Sequence, residues 1–391
     1  MSIKVRNISS QRVKQIAPSG IRKFFDLLAS MEGVISLGVG EPDFTTPWHV
    51  REAAIYSLEK GQTMYTSNSG MPELRQELSR YLKERHNLSY NPNSELLITV
   101  GVSEALDLTM RAILDPGDEV IMPDPHYVSY DACVTLAGGT PIMVPTNEKN
   151  NFELSAADVE ARVTGKTKAI LIGYPANPTG AVMSKEKLAK IAEIARRHQL
   201  LVISDEIYGR LVYGVKHTCF ATLPGIQETT VLLGGFSKAY AMTGWRIGYA
   251  AATKEIIAAM TKIHQYTIMC APTMAQVAAI EALKSGEPDV LEMVEDYNRR
   301  RLVMVKGLND IGLPCFEPKG AFYAFPSIKG TGMTSEEFAE KLLREEKVAV
   351  VPGTAFGQCG EGYVRCCYAT SLADIEEALL RMGLFVKKQK K

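Results

Sequence analysis

Short, almost continuous apolar runs recur along the middle of this chain, and stretches with helical spacing lie between them. The runs are Leu96 to Val100, Glu119 to Met122, Thr140 to Val144, Lys168 to Ile172, Leu201 to Ser204 and Thr230 to Leu233. A strand that is apolar on both faces has to be covered on both sides. Glu104 to Leu114 follows the first run with Ala105, Leu108, Ala112 and Ile113 on a related face. Ser184, a predicted N-cap, opens a helix to His198 that turns Leu188, Ile191, Ala192 and Ala195 toward the sheet. Strands alternating with helices predict an α/β fold with a mainly parallel sheet covered on both faces. Ligands of such sheets sit beyond the carboxyl ends of the strands.

The flanking regions read differently. Val50 to Glu59 and Pro72 to Arg85 have amphipathic helical patterns, as does Ile21 to Leu28, and Tyr65 to Gly70 is a polar, turn-rich connector. A chain of 391 residues is long for one core, so a large domain over 46–290 and a smaller one are expected. The smaller domain would combine the N-terminal segment 1–45 with residues 291–391. Lys plus Arg number 44 and Asp plus Glu 44, a balance that gives no pointer to nucleic acid or to an anionic membrane. The seven cysteines include no CxxC pair and are expected to be buried free thiols, forming neither a disulfide framework nor a zinc site. The early residues carry charges throughout and no apolar signal core, so a cytoplasmic protein is expected. The basic run Lys387 to Lys391 is expected to be a frayed tail.

The strand ends carry the chemistry. Ile172 is followed by Gly173-Tyr174-Pro175-Ala176-Asn177-Pro178-Thr179-Gly180, Ser204 by Asp205-Glu206-Ile207-Tyr208, and Leu233 by a stretch that contains Lys238 and Arg246. Taken singly, Asn177 fits a turn, Asp205 an N-cap, Tyr208 an amphipathic surface ring and Lys238 a solvated loop. Together they bring an amide, a carboxylate, a phenol and an amine to one rim. A lysine among small and aromatic residues can have its pKa lowered until the neutral amine attacks a carbonyl. Gly101-Val102-Ser103 joins the first strand to its helix, a turn whose free N–H groups and helix dipole favour a phosphate.

Long, correctly ordered motifs span the chain: SGIRKFFDL, ISLGVGEPDF, YPANPTG, SDEIY, GGFSKAYAMTGWRIGY, KGAFYAFPSI, VAVVPGTAFG and GYVRCCYA. Through them the chain resembles the class I/II aminotransferases of the fold-type I pyridoxal 5′-phosphate (PLP) enzymes. It is similar to their microbial aspartate and aromatic amino acid subgroup. The resemblance implies a large PLP-binding domain with a mainly parallel sheet, a smaller α+β domain and a homodimer with shared sites. It implies that Lys238 holds PLP as a Schiff base and carries the proton of the substrate α-carbon. Asp205 would face the pyridine nitrogen, Asn177 and Tyr208 the ring O3′, and Tyr127 the ring face. Gly101, Val102 and Ser103, with Ser237 beside them, and Arg246 would hold the phosphate, and Tyr65 would reach the phosphate of the neighbouring subunit. Arg365 would clamp the substrate α-carboxylate, helped by Asn177 and the backbone near Gly38, while Ile21 and Tyr65 would line an uncharged entrance.

Two departures bear on this. Many relatives have a phosphate-binding serine where this chain has Gly235, and aspartate-preferring relatives often have a lysine where Ser103 stands. The implied activity moves the amino group of an L-amino acid, aspartate, aromatic or related, to a 2-oxo acid such as 2-oxoglutarate by a ping-pong mechanism. A PLP-dependent carbon-sulfur β-lyase of the same fold is the alternative, since the cofactor site alone does not choose between transfer and elimination. A DNA-binding regulator built on this fold lacks support in the absence of a basic helix-turn-helix segment ahead of it. A nucleotide-binding enzyme lacks it too, because neither G-x-G-x-x-G opening a helix nor G-x-x-x-x-G-K-[ST] occurs.

Overall fold

The structure is a computed structural model and describes residues 8–16 and 31–389. The helical spacing of Ile21 to Leu28 lies outside the described residues. After a two-residue strand β1 (Ile35–Ser36), the apolar runs become β2 (Leu96–Thr99), β3 (Glu119–Asp124), β4 (Thr140–Pro145), β5 (Thr167–Ile172), β6 (Leu201–Asp205) and β7 (Thr230–Gly235). A further strand, β8 (Gly248–Ala251), was not expected from the sequence. The seven form one sheet in the order β2-β8-β7-β6-β5-β3-β4, in which β8 runs antiparallel to both its neighbours and the remaining pairings are parallel.

Alternation along the strands explains why the runs are continuous. Ala169, Leu171, Ile203, Val231 and Leu233 face one side, where helices Gly101–Ile113 and Lys254–Thr267 cover them. Ile170, Ile172, Val202 and Leu232 face the other, against helices that include Pro72–His86, Lys185–Arg197 and Thr273–Ser285. Both faces exclude water, so each strand needs apolar residues at every position. Ser184 caps its helix as expected, its hydroxyl accepting from the Lys187 N–H at 3.3 Å.

A second core gathers Leu37 with Phe322, Phe338, Val348, Cys366, Phe385 and others from the C-terminal hundred residues or so. Its strands are short: β9 (Tyr323–Ala324), β10 (Val348–Ala349), β11 (Val351–Pro352) and β12 (Val364–Cys367). β1 pairs with β10 in parallel, and β11-β12-β9 form an antiparallel sheet. Helix Glu287–Asp310 runs between the cores, with Val290 in the sheet's core and Tyr297 and Met304 in the second.

Two expectations need correction. Lys387 to Gln389 are helical, within Leu372–Gln389, and Lys388 pairs with Glu346 at 2.5 Å, so this part of the tail is held by an ion pair. Cys219, Cys366 and Cys367 are buried free thiols, but Cys133, Cys270, Cys315 and Cys359 are only half-buried. No helix among the described residues is long and apolar enough to cross a membrane.

One glycine joins the loop after β5 to the second core. Gly180 has φ +72°, and its carbonyl accepts from the N–H groups of Lys319 and Gly320, both at 3.0 Å. A Cβ there would stand 2.8 Å from the Tyr323 carbonyl oxygen and 2.9 Å from that of Gly320. Gly180→Ala is therefore expected to lower stability by more than about 2 kcal/mol, the left-handed strain adding to displaced backbone. Denaturant midpoints measure this, and a loss below about 0.5 kcal/mol, the scale of an ordinary surface substitution, refutes the tight join.

Candidate active site

Parallel register brings the ends of β5, β6 and β7 side by side, Ile172 pairing with Ser204 and Asp205 with Leu233. A cavity of about 400 Å³ opens beyond these ends. It is lined by Gly38, Val102, Ser103, Tyr127, Asn177, Asp205, Tyr208, Ser237, Lys238, Arg246 and Arg365, so most of the residues singled out from the sequence meet in one place. Gly101 lies just behind, at the start of its helix. Tyr65 is 81% exposed and does not line the cavity of its own chain. Ile21 lies outside the described residues.

Asp205 ends β6 with its carboxylate buried. It accepts from the Tyr130 hydroxyl at 2.8 Å and from the Ile207 N–H at 3.1 Å, and among the described residues no cation pairs with it. Burial pushes its pKa up to about 6, against the pull of those two donors. Folding therefore favours the protonated form, and the stability this group contributes falls as pH rises from the ordinary carboxylate range through about 6. A cation placed opposite the carboxylate would reverse that penalty.

Lys238 follows β7 and donates from Nζ to the Gly40 carbonyl at 2.7 Å, with the Phe322 ring 5.7 Å away. Burial, with Arg365 and Arg246 adding repulsion, lowers its pKa to about 8. At pH 7 about a tenth of the amine is then uncharged, far more than for an ordinary lysine, and that form attacks carbonyl carbon.

The opposite end of the cavity is built for an anion. Gly101 has φ +73°, and a Cβ on it would stand 2.7 Å from Arg246 Nη2, so the guanidinium lies directly over the helix N-terminus. Helix dipole and guanidinium act on the same spot. A Cβ at Gly235 would stand 2.9 Å from Val102 Cγ2 and 3.3 Å from Ile207 Cδ1. The Val102 side chain thus fills the place toward which a serine at 235 would project.

Arg365, on β12, is 4% exposed. Its Nη1 donates to Asn177 Oδ1 at 2.9 Å and Nη2 to the Gly38 carbonyl at 2.7 Å. The guanidinium lies between the rings of Tyr323 and Phe356, 4.4 and 4.8 Å from their centroids, and Nε has no partner. Tyr208 and Tyr323 share a hydroxyl hydrogen bond of 2.7 Å.

Sequence reasoning missed Tyr130, Tyr323 and the Gly40 carbonyl. Tyr130 follows Tyr127 by three residues, and the two rings meet edge to face at 5.6 Å. Tyr323 lies in KGAFYAFPSI, a motif recognised without any residue of it being given a role.

The family described as aminotransferase class I and II matches residues 32–382. The YugH protein of Bacillus subtilis (strain 168) is 60% identical over 97% of this chain and 98% of its own length. An aspartate aminotransferase of Pyrococcus abyssi is 48% identical over 97% of this chain and 99% of its own. Among solved structures, an aromatic aminotransferase from Pyrococcus horikoshii OT3 superposes with a TM-score of 0.90 at 45% identity, covering 94% of this chain and 99% of that one. The carbon-sulfur lyase alternative finds no support in these relatives. An amine of lowered pKa, a buried carboxylate, an anion cradle and an oriented guanidinium share one cavity, and near full-length likeness points the same way. The chain belongs to the class I and II aminotransferases and is an enzyme of amino-group transfer.

Proposed function

We propose that this aminotransferase uses pyridoxal 5′-phosphate, held covalently by Lys238, to pass an amino group from an L-amino acid to a 2-oxo acid such as 2-oxoglutarate in a ping-pong sequence. The observation that carries this reading is Lys238 itself, a buried amine with its pKa lowered to about 8 in the same cavity as a carboxylate that lacks a cation. The residues present fit the cofactor: Asp205 suits a protonated ring nitrogen, and the Gly101 turn with Arg246 suits a phosphate. When bound, pyridoxal phosphate supplies a carbonyl for the substrate amine and a ring that withdraws electrons from the substrate α-carbon.

The chain's own residues do the rest. Asp205 keeps the ring nitrogen charged, and Tyr130 holds Asp205 in place. Asn177, Tyr208, Tyr127, Val102, Ser103 and Ser237 line the cavity; Asn177 and Tyr208 would meet the ring oxygen, Tyr127 the ring face, and the other three the phosphate. Arg365 binds the substrate α-carboxylate, and the amine of Lys238 takes the proton from the α-carbon and returns it. The second core, with residues 31–45, would form a smaller domain that excludes water from the site. Tyr65, exposed in its own chain, serves the site of a second copy in a homodimer.

Substrate choice follows from charge. Lys238, Arg246 and Arg365 are the cavity's cations among the described residues, and each has a task. None is left for a side-chain carboxylate, so aromatic and other uncharged donors are admitted along with aspartate. Ser103 stands at the cavity wall where a cation would change this. Ser103→Lys is expected to raise kcat/KM for aspartate relative to phenylalanine by about tenfold, the worth of one added charge contact. An unmoved ratio in a two-donor assay removes Ser103 from the specificity determinants.

Lys238 gives a second test. Attachment of pyridoxal phosphate to cofactor-free protein should speed up as pH rises, with a midpoint near the lowered Lys238 pKa of about 8. Borohydride reduction and mass spectrometry locate the adduct, and Lys238→Ala should abolish it together with the protein's yellow colour. An adduct in that variant would assign the role to another lysine. Arg365→Ala should cost about 2 to 5 kcal/mol in kcat/KM by removing a buried charge partner. A specificity constant unaltered from wild type for every amino acid would refute its assignment.

A further inference from the structure

We infer that Arg300, outside the cavity, is a positioning residue for substrate carboxylate binding, acting through the segment from Leu37 to Thr46. This inference rests on the reading of Arg365 given above.

The segment has no helix or strand of its own beyond β1, and Gly40 to Phe44 run through bends. Its conformation is set instead by contacts along its length. Leu37 is tied by backbone bonds to Ala349 at 2.9 Å and from Cys367 at 2.8 Å. The Gly38 carbonyl accepts from Arg365, and the Gly40 carbonyl accepts from Lys238. The far end is fixed where the Thr46 hydroxyl donates to the Ala241 carbonyl and accepts from Trp245 Nε1 at 3.0 Å. Between these points the carbonyls of Gly38 and Gly40 touch the working cation and the working amine of the site.

One charged clamp holds that middle. Arg300 is 8% exposed, and its Nη1 donates to both carboxylate oxygens of Asp43, at 2.8 and 2.7 Å. Its Nη2 meets Asp296 at 2.6 Å, which fixes the fork from its own helix. The guanidinium lies over the Phe44 ring at 5.1 Å and near the Tyr297 ring at 5.7 Å, and those two rings pack edge to face at 5.3 Å. A further side-chain bond to this stretch, Thr243 to Glu41 at 3.1 Å, is exposed and uncharged on one side. A charge-assisted pair whose guanidinium is buried against aromatic rings, with the carboxylate partly exposed, is the stronger of the two.

Releasing the clamp should leave Gly38 to Pro42 free to sample several bends. Arg365 then loses the fixed acceptor for Nη2, and its plane is no longer set for a carboxylate. The phosphate cradle lies on Gly101 and Arg246, neither of which touches Asp43 or Arg300. Carboxylate binding and cofactor retention should therefore respond differently.

The test compares Arg300→Gln, Asp43→Asn and Arg300→Lys with the wild-type holoenzyme. Arg300→Gln should raise KM for donor and acceptor by roughly tenfold while leaving kcat within about twofold, the size of a support removed one step from the ligand. Asp43→Asn should move KM in the same direction, and Arg300→Lys should recover part of the loss by keeping the charge without the fork. Calorimetric binding of 3-phenylpropionate, a carboxylate with neither amino nor oxo group, should weaken in parallel, with cofactor retention unchanged. A wild-type KM and probe affinity in Arg300→Gln overturns the inference, as does a loss of cofactor equal to the loss of probe binding. Wild-type protein that neither transaminates nor binds the probe overturns the reading of the site beneath it.

Discussion

Parallel pairing of β5, β6 and β7 is the constraint on which the site depends. Because Ile172 sits beside Ser204 and Asp205 beside Leu233, the loops that leave these strands start from one line. No single loop holds the groups for the proposed chemistry; the sheet collects them. The same alternation decides which of two adjacent carboxylates faces the cavity. Asp205 and Glu206 point to opposite sides, as successive residues leaving a strand do. Glu206 pairs with His217 at 2.5 Å and accepts from Ser204 and the Phe220 N–H, which hold its pKa down although burial alone would raise it. Asp205 has neutral donors only, and its pKa is up. Side-by-side carboxylates are thus one saturated and one waiting for a cation.

That division shows why parts of the molecule were legible in the sequence and others were not. Strands buried on both faces announce themselves as apolar runs, and β2 to β7 were found that way. β8 was missed because Gly248, Tyr249, Ala250 and Ala251 carry little of that signal. Gly248 must be small for another reason: a Cβ on it would stand 2.6 Å from the Gly101 carbonyl carbon. The strands of the second core, two to four residues each, are set by tertiary pairing rather than by local pattern. Asn177, Asp205 and Lys238 were singled out because strand ends and motif order both mark them, and Arg365 because its motif does. Tyr130, Tyr323 and Arg300 act through side chains that reach across the fold, and no local spacing records such a contact.

The pair Val102 and Gly235 shows how a departure from the family pattern is absorbed. Gly235 removes a hydroxyl near the anion cradle, and Val102 Cγ2 occupies that volume, so the packing density beneath the turn is kept. A serine restored at 235 would meet the valine before it could serve a phosphate. In the proposed reading the anion end of this cavity would consequently rely on backbone N–H groups, Ser103 and Arg246. Those contacts suit a doubly charged group better than a neutral one, since dipole and guanidinium both act on charge.

Charge balance links the two ends of the cavity. Among the described residues its lining carries Lys238, Arg246 and Arg365 against a single carboxylate, Asp205. None of the three cations touches that carboxylate, and a buried charge without a partner is costly. The proposed ligands supply what is missing: a cationic ring nitrogen for Asp205, a phosphate for Arg246 and a carboxylate for Arg365. Arg365 is the most constrained of these, its plane fixed by two rings, by Asn177 and by the Gly38 carbonyl before any substrate arrives. Orientation is then already in place, and binding gains the charge contact without first ordering a flexible side chain. The same preorganisation makes the arginine selective, because a neutral group at that position would leave a desolvated cation unpaired, and discrimination arises from that penalty more than from added attraction.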